Sequence, residues 1–141
     1  MGNFNMRKSI LIIDDDPDVV LYLSTLLKDH GFRTLSASDG IEGFNRARSE
    51  QPDLILLDLM MPAKSGISLL ADLKKDEALR KIPVIMVTGV SGETGIGIES
   101  FLQALIDDGV CEDPEPAGYL EKPVRPERLL RLVNGVFRDQ K

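Results

Sequence analysis

Four short stretches of this chain carry side chains that could do chemistry together. Asp14-Asp15-Asp16 is a run of three carboxylates, Asp58 closes an apolar run, Thr88 closes another, and Glu121-Lys122-Pro123 supplies an ammonium group. Carboxylates gathered in one place repel: two unit charges about 4 Å apart cost about 4 kcal/mol at an effective dielectric of roughly 20. A hard divalent cation offsets that cost, and oxygen donors suit Mg²⁺ or Mn²⁺. Mg²⁺ held by one or two carboxylates, phosphate oxygens and water is a recurrent arrangement in phosphoryl transfer. A nearby lysine adds a second positive charge for phosphate oxygens. The chemistry these residue types suggest is therefore metal-assisted handling of a phosphoryl group.

The hydrophobic pattern places all four stretches at the ends of predicted strands. Ser9-Ile10-Leu11-Ile12-Ile13 is a continuous apolar run, as a strand buried on both faces should be. Asp16-Pro17 then reads as an N-cap and a first-turn proline, with Val20, Leu23, Leu26 and Leu27 on one helical stripe and Gly31 at the C-cap. Arg33 to Ala37 is a second strand, and Asp39-Gly40 opens a helix carrying Ile41, Phe44 and Ala47. The third strand runs from Asp53 to Asp58, and a loop with Pro62 and Gly66 leads to a helix through Leu69, Leu70 and Leu73. Val84 to Thr88 is the fourth strand. A fourth helix is expected over Ile98 to Asp107, where Ile98, Phe101, Leu102, Leu105 and Ile106 form a stripe. Tyr119-Leu120-Glu121 is the fifth strand, and the last helix carries Leu129, Leu132, Val133, Val136 and Phe137. Five strands alternating with five helices predict an α/β fold with a parallel sheet covered on both faces. Such sheets bind ligands beyond the carboxyl ends of their strands, at a switch point in strand order.

Composition excludes several function classes. The 141 residues suit one domain, and the net charge of −6 disfavours nucleic acid, whose phosphates demand a basic surface. No apolar run reaches membrane-spanning length, and Met1 to Met6 has no signal-peptide character. Gly2 does not complete a myristoylation motif, because position 6 is Met. Cys111 is the single cysteine, so no internal disulfide forms and a reducing cytoplasm is expected. His30 reads as a helix-end residue and Cys111 as an unreactive loop thiol. Each chemical residue also has an ordinary reading. Asp14 to Asp16 could cap a helix, Asp58 could be a solvated acid, Thr88 a strand residue, Lys122 a surface charge and Tyr119 a packing group. Their joint placement at strand ends argues against coincidence.

Four motifs in order carry a resemblance. Ile12-Ile13-Asp14-Asp15-Asp16-Pro17, Leu56-Leu57-Asp58-Leu59-Met60-Met61-Pro62, Val87-Thr88-Gly89 and Tyr119-Leu120-Glu121-Lys122-Pro123 resemble the motifs of response regulator receiver domains of the CheY-like, single-domain type. The resemblance runs from about Lys8 to the last helix, with a core over about residues 8–138. It implies a doubly wound, flavodoxin-like sheet of order 2-1-3-4-5. It also implies that Asp58 accepts a phosphoryl group from a histidine kinase or phosphotransfer protein. Asp15, Asp58 and the backbone carbonyl of Met60 would ligate Mg²⁺, with Asp14 acting through a water. Lys122 would neutralise a phosphoryl oxygen, Thr88 would turn to bond the phosphoryl group, and Tyr119 would turn inward behind it. The Lys122–Pro123 bond would be cis. The implied role is a signalling switch, an enzyme only toward its own phosphoryl group, acting on a downstream protein target.

Two other functions compete. A Mg²⁺-dependent phosphohydrolase of the haloacid dehalogenase type would use Asp14-Asp15-Asp16 as its Asp-x-Asp, but Asp18 stands where that family needs Thr or Val. A phosphorylation-independent adaptor would keep only the fold, which the intact Asp15, Asp58, Thr88 and Lys122 set argues against. The sequence also departs from the family's pattern in the long interval between Thr88 and Lys122. The excess, in about residues 89–117, includes an acidic stretch with Asp107, Asp108, Glu112, Asp113 and Glu115. Beside the acceptor, Met60 and Val90 are apolar at positions that flank an attacking water. Slow self-dephosphorylation is the expected result. Following loss of the phosphoryl group by intact mass checks it, and a half-life of only seconds would count against it.

Overall fold

The computed structural model describes residues 7–59, 61, 66–88, 103, 106, 107, 109 and 116–139. Five apolar runs become the strands β1 (Ser9–Ile13), β2 (Arg33–Ala37), β3 (Leu54–Asp58), β4 (Val84–Thr88) and β5 (Gly118–Glu121). They form one parallel sheet of order β2-β1-β3-β4-β5. Every residue of β1, β3 and β4 is buried, as central strands covered on both faces require. The edge strands β2 and β5 are partly exposed, and β5 alternates toward solvent.

Among the described residues the helices are α1 (Pro17–Asp29), α2 (Gly40–Glu50), α3 (Gly66–Lys75) and α4 (Pro126–Asp139). That is four where the pattern predicts five. The predicted helix over Ile98 to Asp107 falls mostly outside the described residues, although Gln103, Ile106 and Asp107 have helical backbone. The extended stretch 89–117 lies outside them too, apart from residues 103, 106, 107, 109, 116 and 117. None of the described helices is long and apolar enough to cross a membrane.

Strand alternation divides the core in two. Leu11, Ile13, Ile55, Leu57, Val84 and Met86 point to the face covered by Ala47 of α2 and by Leu69, Leu70 and Leu73 of α3. Ile10, Ile12, Leu54, Leu56, Ile85 and Val87 point to the face covered by Leu23 and Leu27 of α1 and by Leu129 and Val133 of α4. Helix ends follow the caps read from the sequence. The Asp16 carboxylate accepts from the Asp18 amide, the Asp39 carboxylate accepts from the Glu42 amide, and Gly31 takes a positive φ of 93° after α1. A ring nitrogen of His30 lies 3.0 Å from the Leu26 carbonyl at the end of α1.

Topology decides where the chemistry goes. The chain leaves β2 and crosses β1 to enter β3, so the strand order reverses between β1 and β3. Register pairs Ile13 with Leu57, which sets Asp14 and Asp58 one step further along adjacent strands. The backbone after Asp58 is packed tightly. Gly66, the first residue of α3, donates its amide to the Leu59 carbonyl at 3.0 Å. A Cβ at Gly66 would collide with the Asp58 carbonyl oxygen and come within 2.8 Å of the Leu59 Cα. Gly66→Ala is therefore expected to destabilise the protein by about 1–3 kcal/mol through overpacking. Gly135, inside α4, has open space where its Cβ would be. Gly135→Ala should stabilise by about 0.5–1 kcal/mol, as expected for alanine in a helix interior. Urea denaturation of the two variants, read as opposite shifts in midpoint, checks both.

Candidate functional site

The three consecutive aspartates divide into three tasks. Asp16 caps α1 and faces out. Asp15 is exposed at the rim. Asp14 turns inward and is only 3% exposed. Its amide donates to the Ala37 carbonyl at 3.1 Å, and its Oδ1 accepts from the Asp16 amide at 2.9 Å. Asp58, at the end of β3, is equally buried. Asp14, Asp15 and Asp58 each offer a carboxylate oxygen, and these atoms lie within 4.8 Å of one another.

Lys122 reaches this cluster from the other side. It follows β5, and its amide donates to the Thr88 carbonyl at 2.9 Å. Its Nζ lies 3.1 Å from Asp14 Oδ2 and 3.5 Å from Asp58 Oδ1. The Lys122–Pro123 peptide is cis. Burial acts to lower the Lys122 pKa, but the charge of Asp58 and the hydrogen bond and charge of Asp14 outweigh it. The ammonium is thus held above the ordinary lysine range.

Thr88 is the residue after Val87, which pairs with Asp58 across the sheet. Its buried hydroxyl donates to the Leu120 carbonyl of β5 at 3.4 Å, long for an O–H···O bond. Tyr119 lies on the edge strand β5 and is 42% exposed. Met60 and Val90 lie outside the described residues. The structure therefore brings Asp14, Asp15, Asp58 and Lys122 together, sets Thr88 beside them, and leaves Tyr119 at the edge.

The donor set fits a hard cation. Three carboxylates face one ammonium, so the site retains excess negative charge. Oxygen donors gathered this closely suit a six-coordinate Mg²⁺, whose ligands stand at roughly 2.0–2.1 Å from the ion. The motifs do not reveal two contacts that shape the site. One is Gly66 against the Asp58 backbone. The other is the Tyr22 hydroxyl, which donates to the Val124 carbonyl at 3.0 Å across 102 positions of sequence. Only the length of the side chain at position 22, on a helix that starts at the acids, hints at the second.

The chain is similar to known proteins over most of its length. Residues 10–134 match the family model described as the response regulator receiver domain. The chain is 38% identical to Protein PilH of Pseudomonas aeruginosa over 129 residues, covering 91% of this chain and 96% of that one. It is 31% identical to the polar-differentiation response regulator DivK of Brucella ovis, covering 95% of this chain and 99% of that one. A solved CheY-like receiver domain protein from Methanospirillum hungatei superposes with a TM-score of 0.79 at 26% identity, over 96% of this chain and 97% of that one.

The shared ammonium makes a stability prediction. Lys122→Ala leaves two buried carboxylates without their common cation, and should destabilise by about 1–3 kcal/mol when divalent cations are chelated. The sign with pH follows from the raised Lys122 pKa. The wild-type advantage is full below the unfolded lysine value of about 10.4 and falls as pH rises through the higher folded value. Urea melts of both proteins in chelator, from neutral to strongly alkaline pH, check the loss and its decline.

Proposed function

The chain belongs to the response regulator receiver domain family, and from that membership we propose that it is a Mg²⁺-dependent switch whose phosphoacceptor is Asp58. Receiver domains are signalling proteins rather than turnover enzymes. The observation that carries the reading is the Lys122 ammonium, within 3.1 and 3.5 Å of Asp14 and Asp58, at the switch point of the sheet.

In the proposed step a carboxylate oxygen of Asp58 forms a bond to phosphorus as the P–N bond of a phosphohistidine breaks. The imidazole leaves as the neutral base after taking a proton from solvent. A carboxylate is a weak nucleophile, so the site works by position and charge neutralisation. Lys122 keeps its proton and neutralises a phosphoryl oxygen. Asp15, Asp58 and the Met60 carbonyl would hold Mg²⁺, with Asp14 acting through a water, and the ion supplies further neutralisation of the transferring group. The Thr88 hydroxyl gives up its long bond to the Leu120 carbonyl and donates a hydrogen bond to the phosphoryl group held on Asp58. Tyr119 then moves inward, which changes the face formed by the predicted fourth helix, β5 and α4. The donor is a sensor histidine kinase or phosphotransfer protein, and a downstream protein reads the altered face. The lone cysteine and acidic charge suit a cytoplasmic setting for this exchange.

Intact-mass analysis after incubation with acetyl phosphate and Mg²⁺ tests the proposal. Wild type should gain one phosphoryl group and Asp58→Asn none. Turnover of a small phosphate ester that is lost in Asp14→Asn but survives in Asp58→Asn would replace this reading with the phosphohydrolase. Without any phosphodonor, Mg²⁺ at a hundred times its Kd should stabilise wild type by about 2.7 kcal/mol. Thermal melts should show that gain much reduced in Asp15→Asn.

A further inference from the structure

We propose that Tyr22 is a positioning residue for Lys122, and this rests on the role given to Lys122 above. The Tyr22 hydroxyl donates to the Val124 carbonyl at 3.0 Å. Val124 stands two residues after Lys122, in the short connection of residues 122–125 between β5 and α4. That connection has few ties of its own. Pro123 has no amide hydrogen to donate. The backbone bonds seen in it are the Lys122 amide to Thr88 and the Arg125 carbonyl accepting from Leu129. The Val124 side chain is buried, so the connection is held from inside by packing and from α1 by the tyrosine.

The tether joins the two halves of the charge cluster. Helix α1 starts at Pro17, directly after the acids, and Asp16 is its N-cap. Tyr22 lies less than two turns into that helix. One rigid element therefore carries Asp14 at its entrance and holds the Lys122 turn through Tyr22. The lysine side chain has four flexible methylenes and loses rotamer entropy when fixed, so its reach depends on a backbone that stays in place. Tyr22 is 42% exposed, so much of its surface is not used in packing, while its hydroxyl is satisfied by the loop that follows Lys122.

Tyr22→Phe removes only the hydroxyl. Phosphorylation of the full chain by acetyl phosphate at saturating Mg²⁺ should be about 3–10-fold slower, the loss expected for one hydrogen bond. The half-saturating Mg²⁺ concentration should not change. In a Lys122→Ala background the same substitution should add nothing, because the tether acts through the ammonium. Equal rates for wild type and Tyr22→Phe overturn the proposal, and so does an equal loss in both backgrounds. Amide hydrogen exchange separates this outcome from failure of the receiver reading. Exchange at Lys122 should quicken in Tyr22→Phe while the β1 amides keep their protection, whether or not any phosphoryl group is taken up. Unchanged exchange at Lys122 means that there is no tether.

Discussion

Two buried carboxylates sharing one ammonium is the constraint on which the rest of this molecule depends. Asp14 and Asp58 sit on neighbouring central strands, and neither is exposed enough for water to satisfy it fully. Lys122 meets both from a third element. Removing two charges from water is costly, and the attraction repays it only with good geometry and extra hydrogen bonds. Asp14 has such a bond from the Asp16 amide, which is also why three adjacent acids can coexist: one is paired, one is solvated and one caps a helix. The ion trio is also an unfinished site. Its excess of carboxylates invites a cation, and the ammonium is placed to meet an added anion.

Much of this was legible in the sequence, for a definable reason. Central strands of a parallel sheet read as unbroken apolar runs, so Ser9–Ile13, Leu54–Asp58 and Val84–Thr88 announced themselves. Residues just past such strands converge at a switch point, so Asp14, Asp58 and Lys122 could be placed on one rim before any coordinates. Contacts that depend on distant side chains were not legible. Periodicity sees which face a residue is on, not what its far end touches. Tyr22 lies off the stripe of Val20, Leu23, Leu26 and Leu27, and nothing nearby in the chain points to Val124. Gly66 reads as a loop residue in the sequence, because its reason for being glycine is the approach of the backbone at Asp58 and Leu59, at the end of β3. The roles given to Met60 and Val90 belong to positions outside the described residues.

The two faces of the sheet carry different duties. One face packs α2 and α3 beneath the central strands, and the other packs α1 and α4, the helices next to the charge cluster. Thr88 links the centre to the periphery, since its hydroxyl rests on the carbonyl of an edge residue. That bond is long, at 3.4 Å, and β5 has no further strand beyond it.

The absent side chain at position 66 has a mechanical consequence. With α3 pressed onto its carbonyl, the backbone at residue 58 is clamped between a helix start and two flanking strands. Charge added there, as proposed, would meet a main chain with little room to recoil. On the proposed reading this point would act as an anvil, and the disturbance would leave sideways, through the Thr88 hydroxyl and the edge strand. A receiver of this build transmits by what yields around a fixed point.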